Sequence, residues 1–305
     1  MLPVSDARPT VSAPAHAAAA PLISIITPYR DARRFLPGLV ATLQAQTHRH
    51  WECLLVDHAS SDGGGALAAA LTAGDPRFRH LRLGSAAGGG VRRPAIPRNA
   101  ALEQVRGALL CFLDVDDLWH PQKLERQLSF HQRHHLDISV TAYGRTRGHR
   151  CGELTWRCPP STLDLRRLRR RNAVPMLTVM VAAVLFQAPQ GGDRPLRFQP
   201  VCHEDYVLWL QLWSEYPALR YGCLPELLAL HQRHGRNITS QRTAMVAWLY
   251  RVHRHQAPAP VAAWRALVGG CDQLVLAIQE LMGRRRVPCD PCALMGRVPL
   301  STLNL

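Results

Sequence analysis

Short apolar runs alternate with amphipathic stretches through the first half of the chain, and that rhythm predicts its elements. Residues 22–27, Leu-Ile-Ser-Ile-Ile-Thr, are β-branched and apolar and stop at Pro28, which predicts a buried strand. Over 32–46, Phe35, Leu36, Leu39, Val40 and Leu43 recur at helical spacing, so one face of a helix should be apolar. A strand at 51–57, a helical stretch at 66–71, a strand at 78–83 and a helix at 100–106 follow, with Ala59-Ser60-Ser61-Asp62 as an N-cap cluster. The run 108–113 is apolar without alternation and follows Gly107, as a strand buried on both faces would. Regular alternation of strand and helix argues for an α/β fold with a mostly parallel sheet flanked by helices.

Beyond Gln132 the pattern weakens. A strand is expected at 138–143, a polar and basic irregular region at 145–171, and an apolar strand or pair of strands at 175–186. Gly191-Gly192 marks a turn, His203-Glu204-Asp205 precedes a helix at 206–213, and 224–230 leads into Arg233-His234-Gly235. Two helices are read over 243–283, before a basic tail. The expected organisation is therefore a flexible lead-in over 1–20, one α/β domain over 21–240 and a helical extension over 241–305.

Charge and cysteine content narrow the function classes. At 305 residues and 47% hydrophobic content the chain can bury a sizeable core and is not generally disordered. Thirty-seven Lys+Arg against 22 Asp+Glu give a net charge of +15, which favours anionic partners. Nucleic acid is disfavoured, because the basic residues are dispersed, aromatic content is 6% and no recognised binding motif is present. Arg166, Arg167, Arg169, Arg170 and Arg171 read either as a solvated face or as a contact for an anionic lipid or polyprenyl phosphate. Nine cysteines without framework spacing fit a reducing cytoplasm, and Cys289-x-x-Cys292 lacks the second pair of a zinc site. The first twenty residues lack the charge and apolar pattern of a signal peptide, and the longest apolar run, 174–186, is too short to span a bilayer and contains Pro175. Peripheral membrane contact through the basic surface is the membrane association left open.

The chemistry concentrates at Asp114, Asp116 and Asp117, which end the strand 108–113. Three carboxylates within four residues repel one another unless a cation neutralises them, and hard oxygen donors suit Mg²⁺ or Mn²⁺. The competing reading makes Asp116 or Asp117 the N-cap of a helix running through 120–124.

Further motifs fall in one order along the chain. Ser24-Ile25-Ile26-Thr27-Pro28-Tyr29-Arg30-Asp31-Ala32 is followed by Gln46-Thr47, Trp51 and then Asp57-His58-Ala59-Ser60-Ser61-Asp62. Pro97-Arg98-Asn99, Phe112 to Asp117, Glu204-Asp205-Tyr206-Val207-Leu208-Trp209 and Arg233-His234-Gly235 complete the series. Over roughly 22–240 this series resembles family 2 glycosyltransferases with a GT-A (Rossmann-like) fold. The resemblance implies an inverting, metal-dependent sugar transfer from a nucleotide-sugar donor, UDP-linked before GDP- or dTDP-linked, to a glycan or lipid-linked acceptor. It places Thr27 and Asp57 at the nucleoside, Arg98 at the diphosphate, Asp114 near the ribose, Asp116 on the cation with Asp117 behind it, and His234 as a further ligand. Asp205 would be the base for the acceptor hydroxyl, with Glu204 as its helper. Two positions depart from the family pattern: His58 stands where a second Asp is usual, and Pro97 where a small residue is. They leave open a catalytically degenerate protein that binds a nucleotide sugar without turnover. Trp209 and Trp213, four residues apart, read as core, whereas Trp119 is open between packing and bordering a sugar pocket.

Overall fold

The computed structural model describes residues 20–84, 94–146, 152–187, 195–201, 203–232, 245–254, 257–267, 269 and 286–289. The chain runs β1 (Ile23–Tyr29), α1 (Leu36–Gln44), β2 (Trp51–His58), α2 (Gly64–Leu71), β3 (Phe78–Leu83), α3 (Ala95–Leu102) and β4 (Leu109–Phe112). It continues through β5 (Leu118–Trp119), α4 (Lys123–Arg133), β6 (Ile138–Thr146), β7 (Gly152–Arg157), α5 (Leu165–Leu168), β8 (Met180–Ala182) and α6 (Glu204–Glu215). The last elements are β9 (Tyr221–His231), α7 (Met245–Arg254) and β10 (Arg286–Cys289).

The fold is mixed α/β around one sheet of order β10-β7-β6-β8-β4-β1-β2-β3. From β3 to β4 the neighbours are parallel, as the strand–helix alternation requires. Beyond β4 the pairing turns antiparallel through β8, β6, β7 and β10, so the parallel order is confined to the N-terminal half. Strand β9 lies parallel to β6 and antiparallel to β5, tying the segment after β4 to the C-terminal half.

The three central strands are buried on both faces and sort their side chains with the period of two expected of a strand. Ile23, Ile25, Cys53, Leu55 and Cys111 pack with Leu36, Leu39 and Leu43 of α1 and Leu124 and Leu128 of α4. Ile26, Leu54, Val56, Leu110 and Phe112 pack the other way, against Tyr206, Trp209 and Trp213 of α6. Two residues before β4 the chain has to be glycine: a Cβ on Gly107 would lie 2.6 Å from Leu22 O and from Ser24 N. Trp119 is wholly buried with its indole N–H on Leu177 O at 2.8 Å, which settles its packing role. Trp209 and Trp213 are likewise core, donating to Val174 O and Leu163 O. No described helix is long and apolar enough to cross a membrane.

Candidate active site

The ends of β1 and β2 are bound to each other before any ligand arrives. Asp31 Oδ1 accepts from Ser61 N at 2.8 Å, Asp31 N donates to Ser60 Oγ at 3.1 Å, and Arg33 N donates to Asp62 Oδ2 at 2.8 Å. Asp57 Oδ1 accepts from Ser60 N at 2.8 Å, three residues on, so the carboxylate holds the loop that follows its own strand. Asp31 and Ala59 both take left-handed backbone, φ 47° and 57°. Such backbone costs about 1–3 kcal/mol per non-glycine residue and persists where surrounding contacts impose it. A third such residue, His203 at φ 58°, immediately precedes Glu204 and Asp205.

Thr27 does not face the cleft. It is wholly buried at the β1–β2 seam, where Cys53 Sγ lies 3.8 Å from its hydroxyl. Asp57, the penultimate residue of β2, is also buried at 5% exposed, and its other carboxylate oxygen lies 2.9 Å from where a Cβ on Gly65 would be. His58 is buried, and burial together with Arg30 lowers its pKa, so the histidine brings no positive charge to this end of the sheet.

Helix α3 begins five residues earlier than its apolar pattern indicates. Arg98 therefore sits on the helix, 3% exposed, rather than in a loop. One amino group donates to Asp114 Oδ1 at 2.6 Å and the other to Glu204 Oε1, so a single guanidinium joins the loop after β4 to the start of α6. Burial works against the charge, but Asp114, Glu204 and Asp205 outweigh it and hold the Arg98 pKa above its ordinary value. Arg98 Nε is buried without a hydrogen-bond partner among the described residues, and the guanidinium carbon lies 5.6 Å from the Phe198 ring centre.

The acidic trio divides. Asp114 keeps a side chain 42% exposed and Asp116 is half-buried, whereas Asp117 is 2% exposed. Asp117 Oδ1 accepts from His231 Nδ1 at 2.9 Å and from Gln232 N at 3.2 Å, at the end of β9. Burial raises the Asp117 pKa against the pull of His231. Burial would lower His231, but the charge and hydrogen bond of Asp117 outweigh it and raise it. Neither Asp116 nor Asp117 caps a helix: β5 intervenes and α4 begins after Gln122. Sequence reading missed His231 because the basic motif after it drew the assignment to His234, which lies outside the described residues.

The second acidic pair opens α6. Burial raises the pKa of Glu204 and of Asp205, with Arg98 pulling both the other way. Glu204 is buried and ion-paired to Arg98, while Asp205 is half-buried and accepts from Asn172 Nδ2 at 2.9 Å. Asn172 was also missed, since it lies in the irregular basic region where no motif marks it. Asp114 and Glu204 thus share one guanidinium although 90 residues separate them in the chain (204 minus 114), and the charge of Asp205 adds to its field. Among the described residues no three His, Cys, Asp or Glu side chains cluster tightly enough to cage a metal ion. Asp114 and Asp116, both less buried than Asp117, instead suit a hard cation that keeps water and substrate phosphate in its shell.

Comparison with known proteins agrees with this arrangement. Residues 24–173 match the model of glycosyl transferase family 2. TuaG of Bacillus subtilis (strain 168), a glycosyltransferase named for teichuronic acid biosynthesis, is 37% identical over 123 residues, 40% of this chain and 47% of that protein. The UDP-Glc:alpha-D-GlcNAc-diphosphoundecaprenol beta-1,3-glucosyltransferase WfgD of Escherichia coli is 29% identical over 203 residues, 66% of this chain and 74% of its own. The chain thus spans about half of the first relative and about three-quarters of the second. In fold it is similar to S. aureus TarS 1-349 in complex with UDP-GlcNAc, with TM-score 0.58 and 18% identity over 79% of this chain and 69% of that one. It is also similar to the mannosyltransferase PcManGT from Pyrobaculum calidifontis in complex with GDP-Man and Mn2+, with TM-score 0.57 and 15% identity over 94% of this chain and 79% of that one. The motif order, the two-faced sheet and the carboxylates joined through Arg98 thus sit in a chain of which residues 24–173, just under half of its length, match glycosyl transferase family 2.

Proposed function

We propose that this protein transfers a sugar from a nucleotide-sugar donor to the hydroxyl of a glycan or lipid-linked acceptor, in one displacement that inverts the anomeric centre. The observation that carries the reading is Arg98, whose guanidinium draws Asp114 and Glu204 into one cleft beside Asp205. A nucleoside diphosphate fits the stapled ends of β1 and β2, where Asp57 offers a carboxylate to the nucleoside and Asp114 one to the ribose. UDP is the favoured nucleotide, since a structural neighbour was solved with UDP-GlcNAc, although another holds GDP-Man.

Asp205 is the base. Its raised pKa brings proton affinity closer to neutral pH, where general-base transfer is most effective. The acceptor hydroxyl gives its proton to Asp205 as its oxygen bonds to the anomeric carbon, and the bond from that carbon to the diphosphate oxygen breaks with its electron pair. Asn172 aims the Asp205 carboxylate, and Glu204, fixed by Arg98, sets the entry of α6. Arg98 acts as a positioning residue, since both of its amino groups are engaged by carboxylates.

The cation called for by the acidic trio fits Asp116, half-buried at the same loop, with Asp117 held behind it by His231. When bound, Mn²⁺ or Mg²⁺ supplies positive charge opposite the leaving diphosphate. The four described free thiols, Cys53, Cys111, Cys158 and Cys223, fit a reducing compartment, and a cytoplasmic site is part of the same proposal.

A panel of UDP-, GDP- and dTDP-sugars, read by release of the nucleoside diphosphate with and without Mn²⁺, tests the reading. Metal-dependent release from one nucleotide class supports it. Binding of a nucleotide sugar without release from any donor and acceptor pair would favour the degenerate alternative, for which His58 and Pro97 are the motivation.

A further inference from the structure

An exposed apolar ridge lies on the helical segment 259–267, against the basic layer that leads to Asp205. Val261, Trp264 and Leu267 are 40%, 69% and 55% exposed, while Ala262 and Ala266 are buried. At about 100° per residue the buried alanines lie on one side of the helix and the three large apolar residues on the opposite side. The helix is thus seated by its small residues and turns its largest outward. A surface helix normally does the reverse.

The ridge is flanked by cations. Burial lowers the pKa of Arg265, and the like charge of Arg169, the residue that closes α5, lowers it further. Arg166 and Arg170 of the same run are exposed, as is Arg251 of α7. The layer is continuous with the proposed acceptor side. Tyr206, next to Asp205, donates to Leu168 O of α5 at 2.7 Å and meets the His253 ring of α7 edge-on at 6.0 Å. The arginine run ends at Asn172, whose amide holds Asp205.

We propose that the outward ridge of 259–267 and the α5 arginines form one docking surface for an anionic lipid bilayer, on the acceptor side of the cleft. Tryptophan with aliphatic neighbours suits the headgroup boundary, and the arginines suit anionic headgroups a few ångströms further out. A second copy of the chain fits poorly, because pairing the ridges would set these arginine clusters against each other in a protein of net charge +15. The link to a lipid-linked acceptor rests on the sugar-transfer reading, whereas the docking surface does not.

Vesicle co-sedimentation of the full chain tests the surface without reference to activity. Phosphatidylglycerol-containing vesicles should sediment the protein, pure phosphatidylcholine vesicles should not, and raising salt should release it. Trp264→Ser should weaken partitioning roughly tenfold, and Arg166→Gln and Arg170→Gln each roughly fivefold. Donor hydrolysis in solution should be unchanged in all three, which confirms that they remain folded and separates this result from failure of the catalytic reading. No sedimentation with anionic vesicles, or sedimentation indifferent to all three substitutions, overturns the proposal. A concentration-dependent dimer abolished by Trp264→Ser overturns it equally, assigning the ridge to a second copy.

Discussion

The loop after β4 and the first turn of α6 both bring adjacent carboxylates to the cleft, yet they dispose of them in opposite ways. After β4, the most buried carboxylate, Asp117, is drawn inward onto His231 and the backbone of Gln232, while Asp114 keeps a side chain 42% exposed and Asp116 is half-buried. At α6 neither carboxylate is released in this way: Glu204 and Asp205 both sit where burial raises their proton affinity, with Arg98 as their common counter-charge. Less buried carboxylates suit a cation and phosphate, whereas buried ones of raised pKa suit accepting a proton. Arg98 spans both, so the division of labour rests on one side chain.

Removing Asp116 from the first site should sharply lower turnover. Asp116→Ala is expected to lower kcat/KM by on the order of a hundredfold or more, with loss of metal-dependent nucleotide affinity, measured by release assays and calorimetry across a Mn²⁺ titration. Unchanged metal dependence would break the contrast.

Cutting the bridge between the sites comes next. Arg98→Leu leaves Glu204 buried without its cation and should cost about 3 kcal/mol in chemical denaturation. That is the low end for a broken buried pair, because the other partner, Asp114, is 42% exposed and regains water. A loss below about 1 kcal/mol would mean that Arg98 does not carry the junction.

His231→Gln sharpens the comparison from the β4 side. The His231 pKa is raised by Asp117, so its contribution to stability is full below pH 6.5 and is lost as pH rises through the folded value. Thermal unfolding should therefore show wild type losing stability above pH 6.5, with that slope absent from His231→Gln. The smallest effect is expected at Asn172. Its hydrogen bond lowers the Asp205 pKa, so Asn172→Ala should move the acidic limb of the pH–rate profile upward. Turnover below that limb should fall a few-fold, with the plateau at higher pH nearly restored.

The parallel half of the fold was legible because its signal is local. Strand β3 follows the apolar pattern residue for residue, and α1 is displaced at its first turn, where 33–35 wind as a 3₁₀ helix, and ends two residues early at Gln44. The motifs around Asp57, Asp114 and Glu204 were legible for the same reason. The antiparallel half was not, since β8 is three residues long between two 3₁₀ turns and its pairing with β4 and β6 is set by tertiary contact. Arg98 was misplaced because Pro97 read as a loop residue, although proline is tolerated in a first helical turn, where α3 puts it. Burial was the other blind spot. Thr27 and Asp117 carry the right chemistry in the right motifs, and only the three-dimensional packing turns them inward.

The most direct test sets binding against turnover in Asp205→Asn, which is close in shape and cannot take a proton at neutral pH. UDP with Mn²⁺ should bind within about twofold of wild type by calorimetry, while sugar transfer falls by roughly a thousandfold. Wild-type turnover in that protein would contradict the assignment of the base and, with it, the division between the two acidic sites.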